Sequence, residues 1–305
     1  MYESYWNLRS SPFLNTEDEA FLYLSDQLRE GVARLYYLID QERIAGMVTG
    51  VYGVGKTSLL ACVVRRAKKA KLPVIRFDAI PQGGLPMARH VLGRLGIDGN
   101  PPALADALMS LQQRCTDGGR PLQRHVLVID EAHYLADGDG LYLVHFLCNL
   151  RIRSATGEKP LFTIILSGTP DLAQSVARYE SLRHRIQLSW TLDPLSRGQT
   201  VEYVQQRMRA AGGDIWAFTR EALDVVHERS GGIPRSINNI CDTALMLGFA
   251  AGAGAVTPEI AMQAAEDTGL GPEPPAPAAT NGTPPPVPGT APETAPRPPA
   301  PAPVQ

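Results

Sequence analysis

The chain has 305 residues, of which 44% are hydrophobic, and its formal net charge is -2. This length and apolar content are enough for one large or two modest domains with proper cores. A net charge so close to zero excludes a globally basic nucleic-acid binder and a strongly acidic tail, although a local basic face stays open.

The cysteines and the terminal sequence indicate the compartment. Cys62, Cys115, Cys148 and Cys241 are scattered without CxxC spacing, which favours small core residues in a reducing compartment. The N-terminus lacks the basic start and apolar run of a signal peptide. The most apolar stretch, 243–256, is shorter than the roughly 20 residues of a membrane helix. We therefore expect a soluble, cytoplasmic protein with no transmembrane segment.

The first part of the chain alternates short apolar runs with helical patterns. The apolar runs predict strands at 44–49, 74–77, 125–129 and 162–166. Helical spacing predicts a helix capped by Ser25 and further helices at 55–70, 87–95, 103–115 and 141–151. This alternation predicts a parallel sheet that helices cover on both faces.

From about residue 193 the strand patterns stop and only helical ones follow. The predicted helices lie at 196–211, 219–229, 234–250 and 257–266. The last 35 residues contain 14 prolines and no aromatic residue, which predicts an extended, disordered tail that acts as a tether or docks on a partner. We predict four segments: an N-terminal extension (1–25), an α/β core (26–192), a helical lid (193–270) and the tail (271–305).

The strongest motif is a glycine-rich loop of the form G-x-x-x-x-G-K-T after the first predicted strand. It reads Gly50-Val51-Tyr52-Gly53-Val54-Gly55-Lys56-Thr57 and continues into Ser58. Glycines let the backbone wrap around a phosphate with its N–H groups pointing inward, and the following helix adds its positive dipole end. We therefore predict that these nine residues bind ATP. Lys56 would reach the β- and γ-phosphates, and the Thr57 hydroxyl would bind Mg²⁺.

Two carboxylates end the third predicted strand, Val126-Leu127-Val128-Ile129-Asp130-Glu131. Open α/β sheets bind ligands at this edge. Asp130 is expected to hold Mg²⁺ through its water shell, and Glu131 to orient and deprotonate the attacking water. Certain helicases share the motif Asp130-Glu131-Ala132-His133. Those helicases need two similar ATPase-like domains, whereas this chain offers one, so we reject the helicase interpretation. We interpret His133 as a supporting or helix-start residue.

Four further polar residues are candidates for a nucleotide site. Thr169 follows a strand and could hydrogen-bond the γ-phosphate or the lytic water, with a simple turn as the alternative. Arg183 and Arg185 precede a predicted last strand, where an arginine could stabilise transition-state charge on a neighbouring subunit or could simply be solvated or salt-bridged. Arg235 begins a helix and could fold back over the nucleotide.

A basic run closes the helix that follows the glycine loop. It comprises Arg65, Arg66, Lys68, Lys69 and Lys71. Cations at a helix C-terminus complement its dipole, so a solvated face is the first interpretation. Contact with nucleic acid is the second.

Taken in order, these motifs resemble the general secretion pathway protein A, or ExeA-type, branch of the AAA+ ATPases. They are similar, more distantly, to the transposition ATPases TniB and TnsC. The resemblance spans about residues 1–270 and rests on Tyr5-Trp6-Asn7-Leu8, Pro12-Phe13, 21–25, 50–57, 128–133, 168–172 and 232–238. It implies that Thr169 occupies the sensor 1 position and Arg235 the sensor 2 position. It also implies an arginine finger within 183–185.

The resemblance implies a P-loop NTPase fold of the AAA+ type, a three-layer core with a small helical lid. It further implies a homo-oligomeric ring or filament with ATP at the subunit junctions. The leading hypothesis is a Mg²⁺-dependent ATPase that assembles or remodels an unidentified protein partner. A DNA-associated transposition-type regulator is the second hypothesis, and a nucleotide-gated scaffold without useful turnover is the third. Secretion-type relatives usually continue into a membrane helix and a peptidoglycan-binding domain, so insertion of a secretion pore through the cell wall is not expected here.

Overall fold

The computed structural model describes residues 2–16, 18–81, 83–116, 122–136, 138–154 and 157–270. The predicted proline-rich tail, 271–305, lies outside the described residues, and the predicted segment boundaries stay predictions. Among the described residues, no helix combines the length and the apolarity that crossing a membrane requires.

The strands and helices follow one another along the whole described chain. The strands are β1 (Ala45–Thr49), β2 (Val74–Asp78), β3 (His125–Asp130), β4 (Arg151–Ser154), β5 (Gly157–Pro160), β6 (Phe162–Gly168) and β7 (Ile186–Thr191). The α-helices are α1 (Tyr2–Tyr5), α2 (Asp26–Asp40), α3 (Lys56–Lys69), α4 (Gly84–Arg94), α5 (Leu104–Thr116), α6 (Gly140–Asn149), α7 (Pro170–Arg178), α8 (Glu180–Arg183), α9 (Arg197–Ala210), α10 (Arg220–Ser230), α11 (Pro234–Ala250) and α12 (Pro258–Asp267). Short 3-10 helices span Glu19–Phe21 and Ala132–Ala136.

Five strands form one parallel sheet in the order β2-β3-β6-β1-β7. Successive side chains of a strand point to opposite faces of a sheet. In β3, Leu127 accordingly joins the apolar cluster on one face, whereas Val126 and Val128 join the cluster on the other. Because both faces are buried under helices, the strands read as unbroken apolar runs. The predicted α/β fold with a parallel, doubly covered sheet is confirmed.

The carboxyl ends of β1, β3 and β6 lie side by side at one edge of the sheet. Thr49 is in register with Gly168, and Ile129 with Leu166. The residues that follow these three strands therefore leave the sheet at the same level. In open parallel sheets this is the edge that binds ligands.

The predicted helix at 141–151 was wrong at its C-terminal end. α6 stops at Asn149 because Leu150 already has extended backbone, with φ -66° and ψ 131°. Arg151 instead begins β4, which pairs with β5 as an antiparallel hairpin. Neither strand of this hairpin was predicted, since each has four residues and a mostly polar sequence without the alternation that marks a half-buried strand.

The N-terminal segment packs into the apolar cluster formed by α9–α12. Trp6 and Phe13 are members of this cluster, and the indole Nε1 of Trp6 donates a hydrogen bond to the Leu245 carbonyl oxygen at 2.9 Å. The buried guanidinium of Arg207 in α9 donates through Nη1 to the Leu14 carbonyl oxygen at 2.8 Å. Residues near the start of the chain thus complete the core of the helical segment.

The Trp6→Ala variant is expected to lower the free energy of unfolding by about 3–5 kcal/mol, because a buried indole leaves a large cavity. Trp6 is 7% exposed. The matched control is Trp216→Ala, since Trp216 is 69% exposed and its removal should change stability by less than about 0.5 kcal/mol. Chemical denaturation of both variants checks the prediction. Equal stabilities would contradict the packing role of the N-terminal segment.

Candidate functional site

The glycine loop between β1 and α3 encloses the side chain of its own lysine. Gly53 and Gly55 have positive φ angles of 77° and 111°, a region that favours glycine. The loop thereby curls around Lys56, which is 5% exposed. Its Nζ donates to the carbonyl oxygens of Gly50 at 2.8 Å and Val51 at 3.1 Å. A phosphate oxygen would find this ammonium already held in the loop.

Opposing charges surround the Lys56 ammonium. Burial lowers the pKa of Lys56 below its ordinary value, and the nearby Arg235 guanidinium lowers the pKa further. The carboxylates of Glu131 and Asp130 oppose this lowering. Two cations and two anions therefore lie within electrostatic range of each other across the loop, the end of β3 and the start of α11.

The acidic pair at the end of β3 lies directly beside the first turn of α3. The Thr57 hydroxyl Oγ1 donates to Asp130 Oδ2 at 3.2 Å, and the Glu131 backbone N–H donates to Asp130 Oδ1 at 3.0 Å. A longer ion pair of 3.8 Å joins Arg76 Nη2 to Asp130 Oδ2. Asp130 is only 3% exposed. This carboxylate is held by three polar neighbours.

Glu131 leaves the strand in a strained conformation. Its φ of 50° lies in the left-handed region. A non-glycine residue held there costs on the order of 1–3 kcal/mol, and such residues cluster at functional sites. Glu131 follows the last residue of β3, and it lines the cavity that faces the glycine loop.

A cavity of about 280 Å³ lies between the glycine loop and the start of α11. Its lining residues are Asn15, Thr16, Tyr52, Gly53, Gly55, Lys56, Thr57, Ser58, Glu131, Tyr203, Arg207, Pro234, Arg235 and Asn238. The loop touches α11 directly, since the Arg235 backbone N–H donates to the Gly53 carbonyl oxygen at 3.3 Å. A Cβ on Gly53 would lie 2.7 Å from the Cβ of Arg235, so only glycine allows this approach.

The structure brings most of the predicted site residues to this cavity. Besides the residues that line it, Gly50 and Val51 contribute the carbonyl oxygens that hold Lys56, and Val54 lines an adjoining apolar pocket. Asp130 reaches the site through its contact with Thr57. The loop, the acidic pair and Arg235 therefore form one constellation.

Besides Gly50, Val51, Val54 and Asp130, three predicted residues do not line the cavity. The buried Thr169 hydroxyl donates to Asp171 Oδ2 at 3.3 Å. Arg183 is exposed at the end of α8. Arg185 is half-buried and lies near His145 and Cys148. Burial lowers the pKa of His145 and the Arg185 charge lowers it further. Burial raises the pKa of the Cys148 thiol, and the Arg185 charge opposes this rise.

Several cavity residues were not predicted from the sequence. The Tyr203 hydroxyl donates to Asn238 Oδ1 at 2.8 Å, and the Asn238 amide Nδ2 donates to Asn15 Oδ1 at 2.9 Å. This chain of hydrogen bonds ties the N-terminal segment to α9 and α11 beside the cavity. Asn238 is the last residue of the sequence block 232–238 and could have been singled out. No sequence pattern marks Asn15 or Tyr203.

The donor set fits a nucleotide carrying a divalent cation. The buried ammonium of Lys56 and the N–H groups of a glycine loop at a helix N-terminus suit phosphate oxygens. The Thr57 hydroxyl and the Asp130 carboxylate are oxygen ligands of the kind that Mg²⁺ accepts. The arrangement can bind a phosphate chain and present a carboxylate, Glu131, to it.

The comparison with known proteins agrees with this geometry. Residues 39–176 match the family described as AAA domain. The chain is 31% identical over 279 residues to the general secretion pathway protein A of Aeromonas hydrophila. Residues 39–176 are therefore similar to an AAA domain, with the P-loop geometry described above. The match to the secretion protein covers 88% of this chain and 49% of that protein, so this chain spans about half the length of this relative. The predicted resemblance to the general secretion pathway protein A type is confirmed.

Other proteins share parts of the sequence or the fold of this chain. An uncharacterized HTH-type transcriptional regulator of Methanocaldococcus jannaschii is 24% identical over 150 residues, which cover 48% of this chain and 35% of that protein. A Drosophila ORC structure has a TM-score of 0.63 at 18% identity, covering 84% of this chain and 64% of that chain. The RuvB branch migration motor of Thermotoga maritima has a TM-score of 0.54 at 16% identity, covering 84% of this chain and 73% of that chain. These structures show the fold.

Proposed function

We propose that this protein is an AAA ATPase that binds ATP with Mg²⁺ and hydrolyses it to assemble or remodel a partner complex. One observation carries the proposal. The Lys56 ammonium, the Thr57 hydroxyl bonded to Asp130 and the Glu131 carboxylate converge on one cavity. A protein that only bound nucleotide would have no need of a carboxylate such as Glu131 beside the phosphate site.

The binding residues have separate roles in this proposal. Lys56 and the backbone N–H groups of the glycine loop hold the phosphate oxygens. Thr57 and Asp130 hold Mg²⁺, which when bound neutralises charge on the β- and γ-phosphates. The adjoining pocket has an apolar wall that includes Leu28, Val54 and Leu192, and we place the base of the nucleotide against this wall.

Glu131 is the proposed general base. It orients a water molecule and accepts its proton as the water oxygen attacks the terminal phosphorus and the bond to the ADP oxygen breaks. Arg235, on the opposite wall of the cavity, supplies positive charge from the helical lid. Thr169 would have to exchange its contact with Asp171 to reach the lytic water, and this sensor role stays a prediction.

We place Arg183 or Arg185 at the site of a neighbouring subunit in a homo-oligomer, with ATP at the junction. The support is that both arginines lie outside the cavity of their own chain. The alanine variant of the arginine that acts as the finger should lose turnover but keep ATP binding, whereas the other alanine variant should keep both. Lys56→Ala keeps the arginine finger but lacks the lysine that binds phosphate. A mixture of the finger variant with Lys56→Ala should therefore turn over ATP faster than the average of the two variants measured separately. A mixture no better than that average would exclude a finger acting between subunits.

A second candidate function is a DNA-associated ATPase of the transposition-regulator kind. The supporting observations are the exposed basic residues Lys69, which ends α3, and Lys71, which follows it, together with the similarity of the fold to Drosophila ORC bound to DNA. Electrostatic binding of this kind falls steeply as salt rises.

The proposed function is tested by measuring ATP turnover with and without duplex DNA, alongside light scattering in ATP. We expect Mg²⁺-dependent turnover and an ATP-dependent increase in mass. Stimulation by DNA that disappears at high salt would favour the second candidate, whereas no effect of DNA would remove it. Absence of turnover in every condition would contradict both functions.

A further inference from the structure

Two buried polar atoms face each other beside the glycine loop. Glu131 Oε2 and His133 Nδ1 lie 3.4 Å apart, and neither makes a hydrogen bond to another group in the described part of the chain. The two side chains are 33% and 11% exposed, respectively. Buried polar atoms without a partner are costly, and the rare cases in native proteins often mark function. A small rotation of either side chain would pair them with each other.

Pairing of the two groups would fix which atom carries the proton. An ionised carboxylate can only accept a hydrogen bond, so a His133 Nδ1 that pairs with it must bear the hydrogen. A neutral imidazole then has a bare Nε2, which must accept. Tyr52 supplies the donor, because its hydroxyl lies 2.9 Å from His133 Nε2. When a rotation pairs His133 with Glu131, the three side chains form one chain of donors and acceptors from Tyr52 to Glu131.

Aromatic contacts hold His133 in this orientation. The Tyr52 ring meets the imidazole edge-on, with centroids 5.8 Å apart and an interplanar angle of 86°. Tyr134 packs against the imidazole with centroids 4.3 Å apart. The Tyr52 ring also lies 5.6 Å from the Lys56 Nζ. Tyr52 therefore touches both the phosphate-binding lysine and the residue that faces the proposed base.

We propose that His133, fixed by Tyr52, is a positioning residue that aims the Glu131 carboxylate at the lytic water. The proposal rests on the proposed function, in which Glu131 is the general base. Because Tyr52 belongs to the glycine loop, the orientation of the base depends on the same loop that holds the phosphates. His133 itself touches neither nucleotide nor water in this scheme.

The His133→Ala variant is expected to lower kcat for ATP hydrolysis about 10- to 100-fold, the usual loss when a residue that orients a site group is removed. ATP affinity should stay within about twofold of wild type, since His133 does not line the cavity. His133→Asn, whose amide can replace the Nδ1 donor, should recover much of the lost kcat. Nitrogen-15 NMR of the wild-type imidazole should show the tautomer with hydrogen on Nδ1.

Tyr52→Phe removes the hydroxyl and keeps the ring beside Lys56, so it should lower kcat about 3- to 10-fold. The same change in a His133→Ala background should have less than about twofold effect, because residues that act through one another are not additive. The matched controls are His90→Ala and Tyr142→Phe, which alter exposed side chains outside the cavity and should leave kcat unchanged.

Three results would overturn the proposal: wild-type kcat in His133→Ala, an equal loss of ATP affinity and kcat, or no recovery in His133→Asn. If His133→Ala does not fold, His133→Asn and Tyr52→Phe still decide the matter, because their changes are conservative. Assays of the wild type and of Glu131→Gln, run in parallel, distinguish a failure of the positioning role of His133 from a failure of the proposed function. If Glu131→Gln loses turnover while His133→Ala keeps it, the positioning role fails and the proposed function stands.

Discussion

Replacing Glu131 by glutamine is expected to lower ATP turnover by about 10²- to 10⁴-fold, the contribution typical of a general base. Glutamine has nearly the same shape as glutamate, but its amide cannot accept a proton from water. ATP affinity should change little, because the phosphate ligands in the glycine loop and the Thr57–Asp130 contact are untouched. A loss confined to kcat identifies an interaction that acts in the chemical step.

The measurement is phosphate release at saturating ATP, together with the binding of a fluorescent ATP analogue. The matched control is Glu266→Gln, since Glu266 is an exposed carboxylate of α12 far along the chain from the acidic pair. The control should retain wild-type kcat. Wild-type turnover in Glu131→Gln would show that another group is the base.

Removing the Lys56 ammonium should have the largest effect on nucleotide binding. A hydrogen bond between an ammonium and a charged phosphate contributes about 1.5–3 kcal/mol, and more than one oxygen is within reach in the proposed complex. Since about 1.4 kcal/mol corresponds to a factor of ten, Lys56→Ala should weaken ATP binding roughly 100-fold or more. Turnover should fall with it.

Lys69→Ala is the control for this variant. Lys69 lies in the last turn of the same helix, is exposed and carries the same charge. Its replacement should leave the dissociation constant for a fluorescent ATP analogue nearly unchanged. A comparable loss of affinity in both variants would mean that net charge rather than the position of Lys56 governs binding.

The strands and the glycine loop could be predicted because local chemistry determines them. The run before Gly50 is buried on both faces of the sheet and is therefore apolar throughout. The glycines of the loop mark positive φ angles, and α3 then begins at Lys56, within one residue of its predicted start. The helix that follows Ser25 is capped by the Ser25 side chain as predicted, through a bond from the Leu28 backbone N–H at 3.2 Å.

The β4–β5 hairpin could not be predicted because its stabilising contacts are not visible in its own sequence. Its mostly polar four-residue strands lack an apolar repeat, and pairing between them holds the hairpin. Helix α7 was also absent from the prediction, although Pro170 at its first turn is a recognised start signal. Short elements offer too few residues for periodicity to distinguish them from loops.

The candidate site could be predicted only as far as its motifs extend. The acidic pair and the loop were paired from sequence because both follow strands of one parallel sheet. The contact between Tyr52 and His133 joins residues 81 positions apart, and nothing in either local sequence requires it. Asn15 reaches the cavity because Trp6 and the carbonyl of Leu14 are bound by the helical segment, which is a property of tertiary packing.

The central claim is that a triphosphate binds in the glycine loop opposite the acidic pair. Isothermal titration calorimetry of the wild-type chain with a non-hydrolysable ATP analogue and Mg²⁺ tests it most directly. The account predicts a saturable heat of binding with one site per chain. The affinity should be strongly reduced in Lys56→Ala, and the affinity of Asp130→Asn should depend less on Mg²⁺. No heat of binding, or equal binding by wild type and Lys56→Ala, would contradict it.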